Sequence, residues 1–232
     1  MGLNLYSKIE PYLDFQEEVY ALHREFMALV MTKELDNILD IGCGQGYFLE
    51  NLNLNSINSF GIDLSKDQIE ACKSRGVQNA QCIALENLSE KFDCATAIFD
   101  VINYIPKQQL EKFFKDTYKV LNDNGYFIFD VNSLFGFDEV AQGCITIDLE
   151  DKFIALDAIF EDDKLITNIT VFSQTKDHLY EKESDFITQY YHSKEALKKL
   201  LKRANFSIEE VREFNLHGFE QTDKLIFICK KN

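Results

Sequence analysis

"NILDIGCGQGYF" (residues 37–48) runs from an apolar segment straight into three glycines on alternate positions, Gly42, Gly44 and Gly46. The segment before them is short, apolar and bounded by glycine, which predicts a buried parallel strand. "GYFLENLN" predicts the helix that leaves the turn. A strand, a glycine-rich turn and a helix N-terminus form a ready seat for a polar ligand. In open α/β sheets that seat lies outside the carboxyl ends of the strands.

Upstream, residues 10–33 place Leu13, Tyr20, Phe26, Leu29 and Val30 at mixed three and four spacing, which predicts an amphipathic helix. It belongs to an N-terminal cap over 1–35. Downstream, "SFGIDL" (59–64) predicts a second strand. "SKDQIEACKSRG" (65–76) predicts a helix with Ser65 as its N-cap and Gly76 at its end. "NAQCIA" (79–84) and "FDCATAIFD" (92–100) predict two more strands. A helix over 106–122 follows with Pro106 in its first turn, then a turn at "NDNG" and a strand over 126–132. Strand and helix therefore alternate through 37–132. The expected fold class is α/β, a doubly wound and mostly parallel sheet with helices on both faces.

The pattern changes over 140–191. "CITIDL", "FIALDAIF", "LITNITVFSQT" and "LYEKESDFITQYY" are strand-like runs without a helix between them. They predict an antiparallel β meander inserted into the sheet, lying over the carboxyl ends of the strands. There it roofs a pocket or offers a homodimer face. Residues 192–232 return to a helix and two strands, and all 232 residues make a single domain.

The net charge of −15 repels phosphate backbones, so no nucleic-acid partner is expected. The one basic run, "KEALKKLLKR" (194–203), reads as the solvated face of a helix. The six cysteines form no CxxC pair and have no nearby histidines in zinc spacing, so no metal is expected. No signal-peptide pattern and no run of about 18 apolar residues occurs. The expectation is a reduced, cytoplasmic protein with no membrane segment.

Two acids select the ligand. A dinucleotide fingerprint reads G-x-G-x-x-G, whereas this turn reads G-x-G-x-G with Tyr47 where the third glycine would fall. Asp40, two residues before Gly42, would repel a pyrophosphate and attract an amino group. Asp63, at the end of the second strand, is placed to accept hydrogen bonds from both ribose hydroxyls. An adenosyl group with a free ribose and a positively charged amino-acid end satisfies both. That ligand is S-adenosyl-L-methionine.

"LDIGCGQGYF", "GIDLS", "FDCATAIFDVINYI" and "LNDNGYFIFDVN" resemble, in order and spacing, the motifs of class I S-adenosylmethionine-dependent methyltransferases. The tail "FITQYYHSKEALKKLLKRANFSIEEVREF" is similar to the end of their small-molecule members. The resemblance implies a seven-stranded sheet with one antiparallel strand. It implies that Asp40 and the backbone at Gly42 and Gly44 hold the methionine end of the cofactor, within a loop completed by Gly46. Cys43 sits in that loop as a packed filler. Asp63 takes the ribose and Leu64 packs on the adenine. The acid that the family usually places after the third strand is missing. Ala84 stands there, Glu86 comes two residues late, and the backbone of Leu85 is left to meet the adenine. Phe99 and Asp100 face the methionine group, with Asn103 and Tyr104 beside the transferred methyl.

Transfer is an in-line displacement onto an O, N or C atom of a small-molecule acceptor. His192, Tyr191 and Tyr104 are the catalytic candidates, with His217 and Tyr190 as further possible bases. Tyr6, Tyr12 and Tyr20 are placed to close over the cofactor. Gln189 stands where the family often carries Arg, which suggests an acceptor without an anionic group. Methylation of a protein or tRNA, or a non-catalytic cofactor-binding module, stays open. A dinucleotide oxidoreductase is opposed by the loop spacing.

Overall fold

A computed structural model describes residues 2–232. Asn37–Ile41 (β1) forms the centre of the main sheet. It pairs in parallel with Asn58–Asp63 (β2) on one side and Phe92–Ala97 (β4) on the other. Ala80–Cys82 (β3) extends the sheet beyond β2, and Leu121–Asn132 (β5) beyond β4. Phe206–Phe214 (β10) and Lys224–Lys231 (β11) complete it in the order β10-β11-β5-β4-β1-β2-β3. β11 pairs antiparallel with both neighbours, so it is the one strand that runs against the rest.

Alternation along β5 and β11 supplies both faces of the core. Phe127, Phe129, Phe227 and Cys229 point to one side, toward Leu110–Val120 (α5) and Lys194–Arg203 (α6). Ile128, Ile226 and Ile228 point to the other. There they meet Leu22 and Phe26 of Gln16–Thr32 (α2), Phe48 and Leu52 of Tyr47–Leu54 (α3), and Ile69 of Lys66–Ser74 (α4). Phe129 stacks on Phe227 at 4.9 Å between centroids. The N-cap expected for α4 is present, with Ser65 Oγ accepting from the Gln68 N–H at 3.3 Å.

Three expectations change. The single helix over 10–33 is instead Leu3–Ile9 (α1), a 3-10 turn over Glu10–Tyr12, and α2. Pro11 lacks the N–H that a continuous helix needs, and Asp14 adopts φ 53°. α5 starts at Leu110 rather than Pro106, because Pro106–Gln109 close a turn of their own (Gln109 N to Pro106 O, 2.8 Å). The turn at Asn122–Gly125 is absorbed into β5 as an irregularity, with Asn124 at φ 64° and a register shift opposite Phe92–Cys94.

The antiparallel meander expected over 140–191 is present as a sheet of its own, inserted between β5 and α6. Gly143–Asp148 (β6), Lys152–Glu161 (β7), Lys164–Gln174 (β8) and Tyr180–Tyr190 (β9) form a separate antiparallel sheet in sequence order. Leu5, Ile9 and Leu13 cover the inner face of the second sheet, against Ile154, Leu156, Ile169, Val171 and Ile187. α1 is therefore fastened to the second sheet by apolar burial. No described helix is long and apolar enough to cross a membrane.

Candidate cofactor and acceptor site

A cavity of about 2010 Å³ lies at the carboxyl ends of β1, β2 and β4, closed by α1 and the second sheet. The glycine turn forms its floor. Gly42 and Cys43 N–H groups donate to Ile62 O at 2.8 and 3.0 Å, which ties the turn to β2. The three glycines all have positive φ (73°, 52° and 79°) but serve different ends. A Cβ on Gly42 would come within 2.7 Å of Val101, and one on Gly46 would overlap Cys72 Sγ. Those two answer to packing within the protein. At Gly44 the nearest atom to an added Cβ is Gln68 Oε1, 3.9 Å away. Only Gly44 leaves its cradle open to a ligand.

This division sets up a contrast between two variants. Gly46→Ala is expected to lose about 3 kcal/mol of stability, from left-handed strain plus overlap with Cys72. Gly44→Ala is expected to lose only about 1 kcal/mol, from the strain alone. Its cofactor affinity should nevertheless fall at least about tenfold, because the methyl fills the cradle. Thermal melts and calorimetric titration separate the two.

Asp40 is 3% exposed and accepts a hydrogen bond from Thr96 Oγ1 at 2.8 Å. Burial pushes its pKa up to about 7, opposed by the Thr96 bond and assisted by the nearby charge of Asp63. Asp63 accepts from Gly44 N–H at 3.0 Å and Ser65 N–H at 2.7 Å. Burial raises it too, against the pull of those backbone donors. An ammonium group entering beside Asp40 finds a carboxyl that titrates near neutrality. Cofactor affinity is expected to rise about tenfold per pH unit from pH 5 toward 7, as Asp40 ionises, and then to level. In Asp40→Asn that slope should vanish, as read by titration calorimetry across pH.

The other expected cofactor residues border the same cavity: Cys43, Leu64, Ala84, Leu85, Glu86, Phe99 and Asp100. Leu64 is 75% exposed there, open to cover a flat ring. Two carboxylates are spoken for. Glu86 pairs with Lys112. Asp100 pairs with the buried Lys224 and accepts from Asn132 Nδ2 at 3.0 Å. Phe99 and Asp100 both hold positive φ (60° and 64°), and their N–H groups donate to the buried Asp130 at 2.7 and 3.3 Å. The charge of Asp100 is thus neutralised by Lys224, and this residue shapes the chain instead of offering a free carboxylate.

Tyr104 also borders the cavity, with Tyr6 from α1. Burial raises both phenols well above their ordinary value, so they remain protonated donors. Tyr12 and Tyr20 are exposed at 39% and 68%.

His192 and Tyr191 are not among the residues that border this cavity. His192 is buried with Nε2 bonded to Ile105 O at 3.0 Å, and Tyr191 packs edge-on to Phe137. Tyr190 is the last residue of β9 at the cavity. The chain then turns away into α6, capped by Ser193. The strand period that exposes Tyr190 ends before either candidate.

Several cavity residues have no local sequence signal. Glu10 accepts from Gln45 Nε2 at 2.9 Å and from Gln68 Nε2 at 3.1 Å, which joins the α1 segment to the glycine turn. Gln68 Oε1 is the one buried side-chain polar atom without a partner among the described residues, and it faces the open cradle at Gly44. His217 and Asp223, from the loop before β11, also border the cavity.

S-adenosylmethionine fits these groups. Asp40 suits its ammonium, Asp63 its ribose diol and Leu64 its adenine. Gln68 Oε1 supplies an acceptor still lacking a donor. When bound, the cofactor supplies a methyl group already activated on a sulfonium. No group of three or more His, Cys, Asp or Glu among the described residues is placed to hold a metal.

Known proteins share this fold. A family model described as a methyltransferase domain matches residues 12–211. The crystal structure of an S-adenosylmethionine-dependent methyltransferase from Clostridium acetobutylicum is similar at 24% identity and TM-score 0.78, covering 99% of this chain and 97% of that one. The sugar N-methyltransferase KedS8 of Streptoalloteichus sp. is similar at 15% identity and TM-score 0.75, covering 99% and 93%. A Geobacillus sp. protein named only provisionally as a methyltransferase is 24% identical over 209 residues, 84% of each chain. Because the family match runs through the glycine turn, both carboxylates and most of β10, the chain belongs to the methyltransferase-domain family, and S-adenosylmethionine is its methyl donor.

Proposed function

We propose that the chain methylates a small acceptor that carries no anionic group. The observation that supports this is the charge of the cavity wall. Its three Lys and Arg residues are each already paired: Arg75 with Glu50, Lys112 with Glu86 and Asp116, and Lys224 with Asp100 and Asp130. Glu10 meets only amide donors. Among the described residues a carboxylate or phosphate would find no free cation there and would lie against uncompensated acids. Gln189, at the position where relatives often carry Arg, borders the same space.

The roof is apolar. Leu156, Ala158, Leu165 and Ile187 face the cavity, with Thr167 and Gln189 as polar points between them. Such a wall favours a compact, partly apolar molecule with a few hydrogen-bonding groups. Tyr6 and Tyr104 add two protonated hydroxyls to orient it. The likeness to KedS8, itself named a sugar N-methyltransferase, is consistent with an amine or hydroxyl acceptor. Holding acceptor and donor at attack distance is itself worth ~7–11 kcal/mol of the barrier.

The test is transfer of labelled methyl from S-adenosylmethionine to matched sets of small amines, alcohols and carboxylates, with bulk tRNA and a protein mixture alongside. Label is expected in amines or alcohols and not in their carboxylate counterparts. Label confined to tRNA or protein, or preference for carboxylates, would overturn the reading.

A further inference from the structure

The loop between β10 and β11 carries a histidine–aspartate pair at the cavity wall. Asp223 is 1% exposed and accepts three hydrogen bonds from one short segment. Leu216 N–H donates at 2.8 Å, His217 N–H at 2.9 Å, and His217 Nδ1 lies 2.5 Å from Oδ2. The loop is anchored to the end of β5, where Ser133 N–H donates to Asp223 O at 2.9 Å. The next residue, Lys224, pairs with Asp100 and Asp130. The pair therefore sits beside the ends of β4 and β5, where Lys224 meets Asp100 and Asp130.

The chemistry of the pair follows from its surroundings. Burial alone would raise Asp223, but the bond from His217 and the two backbone donors hold it below the ordinary carboxylate range. An ionised Asp223 requires the proton of the neutral imidazole to be on Nδ1. That leaves the Nε2 lone pair free, and no hydrogen bond among the described residues occupies it. The ring is 32% exposed, and it borders the cavity. His23 also borders the cavity, but its ring is buried against Phe48 and Phe99, and burial lowers its pKa to about 4.

We propose that His217 is the general base of the methyl transfer and that Asp223 is the positioning residue that fixes its tautomer. The inference rests on the S-adenosylmethionine reading of the site. The acceptor's heteroatom bonds to the methyl carbon as the carbon–sulfur bond breaks, and that electron pair stays on sulfur. The proton lost by the acceptor goes to Nε2, and the resulting imidazolium faces the Asp223 carboxylate. It returns the proton to water after the products leave. This is the base-and-orienter arrangement that also serves hydrolases.

The test needs no acceptor. Histidine-labelled protein is titrated by NMR, saturated either with S-adenosylmethionine or with S-adenosylhomocysteine. The two ligands differ by one methyl and one positive charge. The charges of Asp223, Asp100, Lys224 and Asp130 are common to both states. His217→Gln assigns the resonance, and His178 serves as a remote control. If Nε2 faces the transferred methyl, the His217 midpoint should lie about half a pH unit or more lower with the sulfonium bound. Nitrogen shifts should show the Nδ1–H tautomer, lost in Asp223→Asn. Equal midpoints with the two ligands, or an Nε2–H tautomer in the parent protein, would overturn the base assignment. Backbone amide shifts at Gly44 report binding separately. If neither ligand moves them, the cofactor reading fails and the base assignment goes with it.

Discussion

Asp63→Ala should lower affinity for S-adenosylmethionine by about 100-fold or more while leaving the fold intact. The carboxylate ends β2 and already holds two backbone donors, Gly44 N–H at 3.0 Å and Ser65 N–H at 2.7 Å. An ionised carboxylate has room for about four such bonds, so two acceptor positions remain for a vicinal diol. Hydrogen bonds to a charged group contribute ~1.5–3 kcal/mol each, so losing two costs about 3 kcal/mol, or ~100-fold in affinity. Alanine also frees the Gly44 N–H, which loosens the turn at its one ligand-facing glycine. Asp63→Asn should do little better, because its NH2 would meet donors. Calorimetric titration of both variants against the parent, with NADH as a control, decides the matter. A loss of less than about threefold would remove Asp63 from the binding site. Saturable NADH binding would reopen the dinucleotide reading that the loop spacing opposes.

What could be read from the sequence depended on how local the signal was. β1, β2, β4 and β5 are apolar runs closed by glycine or an acid, so each announces itself within a few residues. The same holds for Asp40, Gly44 and Asp63, which lie within one turn or strand end of each other in motif order. α1 was not visible because Leu5, Ile9 and Leu13 make an apolar face only against Ile154 and Ile187, some 150 residues away. Gly42 borders the cavity, but the atoms that exclude a side chain at Gly42 and Gly46 belong to Val101 and Cys72, which the sequence does not place there. His192 follows an aromatic strand, yet the chain turns it under Ile105. The sequence holds four histidines, and only the fold sets Asp223 beside His217. A pair joined across a loop leaves no spacing rule by which to find it.

Lys224 carries the largest expected effect on stability. It is 2% exposed at the start of β11, and its Nζ meets Asp100, Asp130 at 2.9 Å and Asn132 Oδ1 at 3.0 Å. Coulombic attraction to the two carboxylates outweighs burial and holds its pKa above the ordinary lysine value, so it stays charged. Asp130 is fully buried, and its pKa rises to about 6, chiefly through burial, with Lys224 pulling the other way. Lys224→Met keeps the stem but leaves the buried Asp130 and the partly buried Asp100 without a cation. Breaking a buried pair in this way costs ~3–5 kcal/mol, or about 10 °C in melting temperature for a chain of this size.

The pH dependence has a definite sign. The folded pKa of Asp130 lies above its unfolded value of 3.8, so its contribution is most favourable below that value and is lost as pH rises through about 6. Without Lys224 the folded pKa moves higher still, since protonation is then the only way to discharge the acid. The variant's deficit should be full near pH 8 and shrink toward pH 5. Adding Asp130→Asn to Lys224→Met should recover part of the loss at pH 8 and flatten that slope, since one of the stranded charges is gone. A deficit that is the same at pH 5 and pH 8 would mean that Lys224 acts by packing alone, against Phe99, whose ring lies 5.8 Å from its Nζ. The cofactor should report the same cluster from the other side. Asp130 also accepts the N–H groups of Phe99 and Asp100, so the variant should bind S-adenosylmethionine more weakly even at temperatures where it is fully folded.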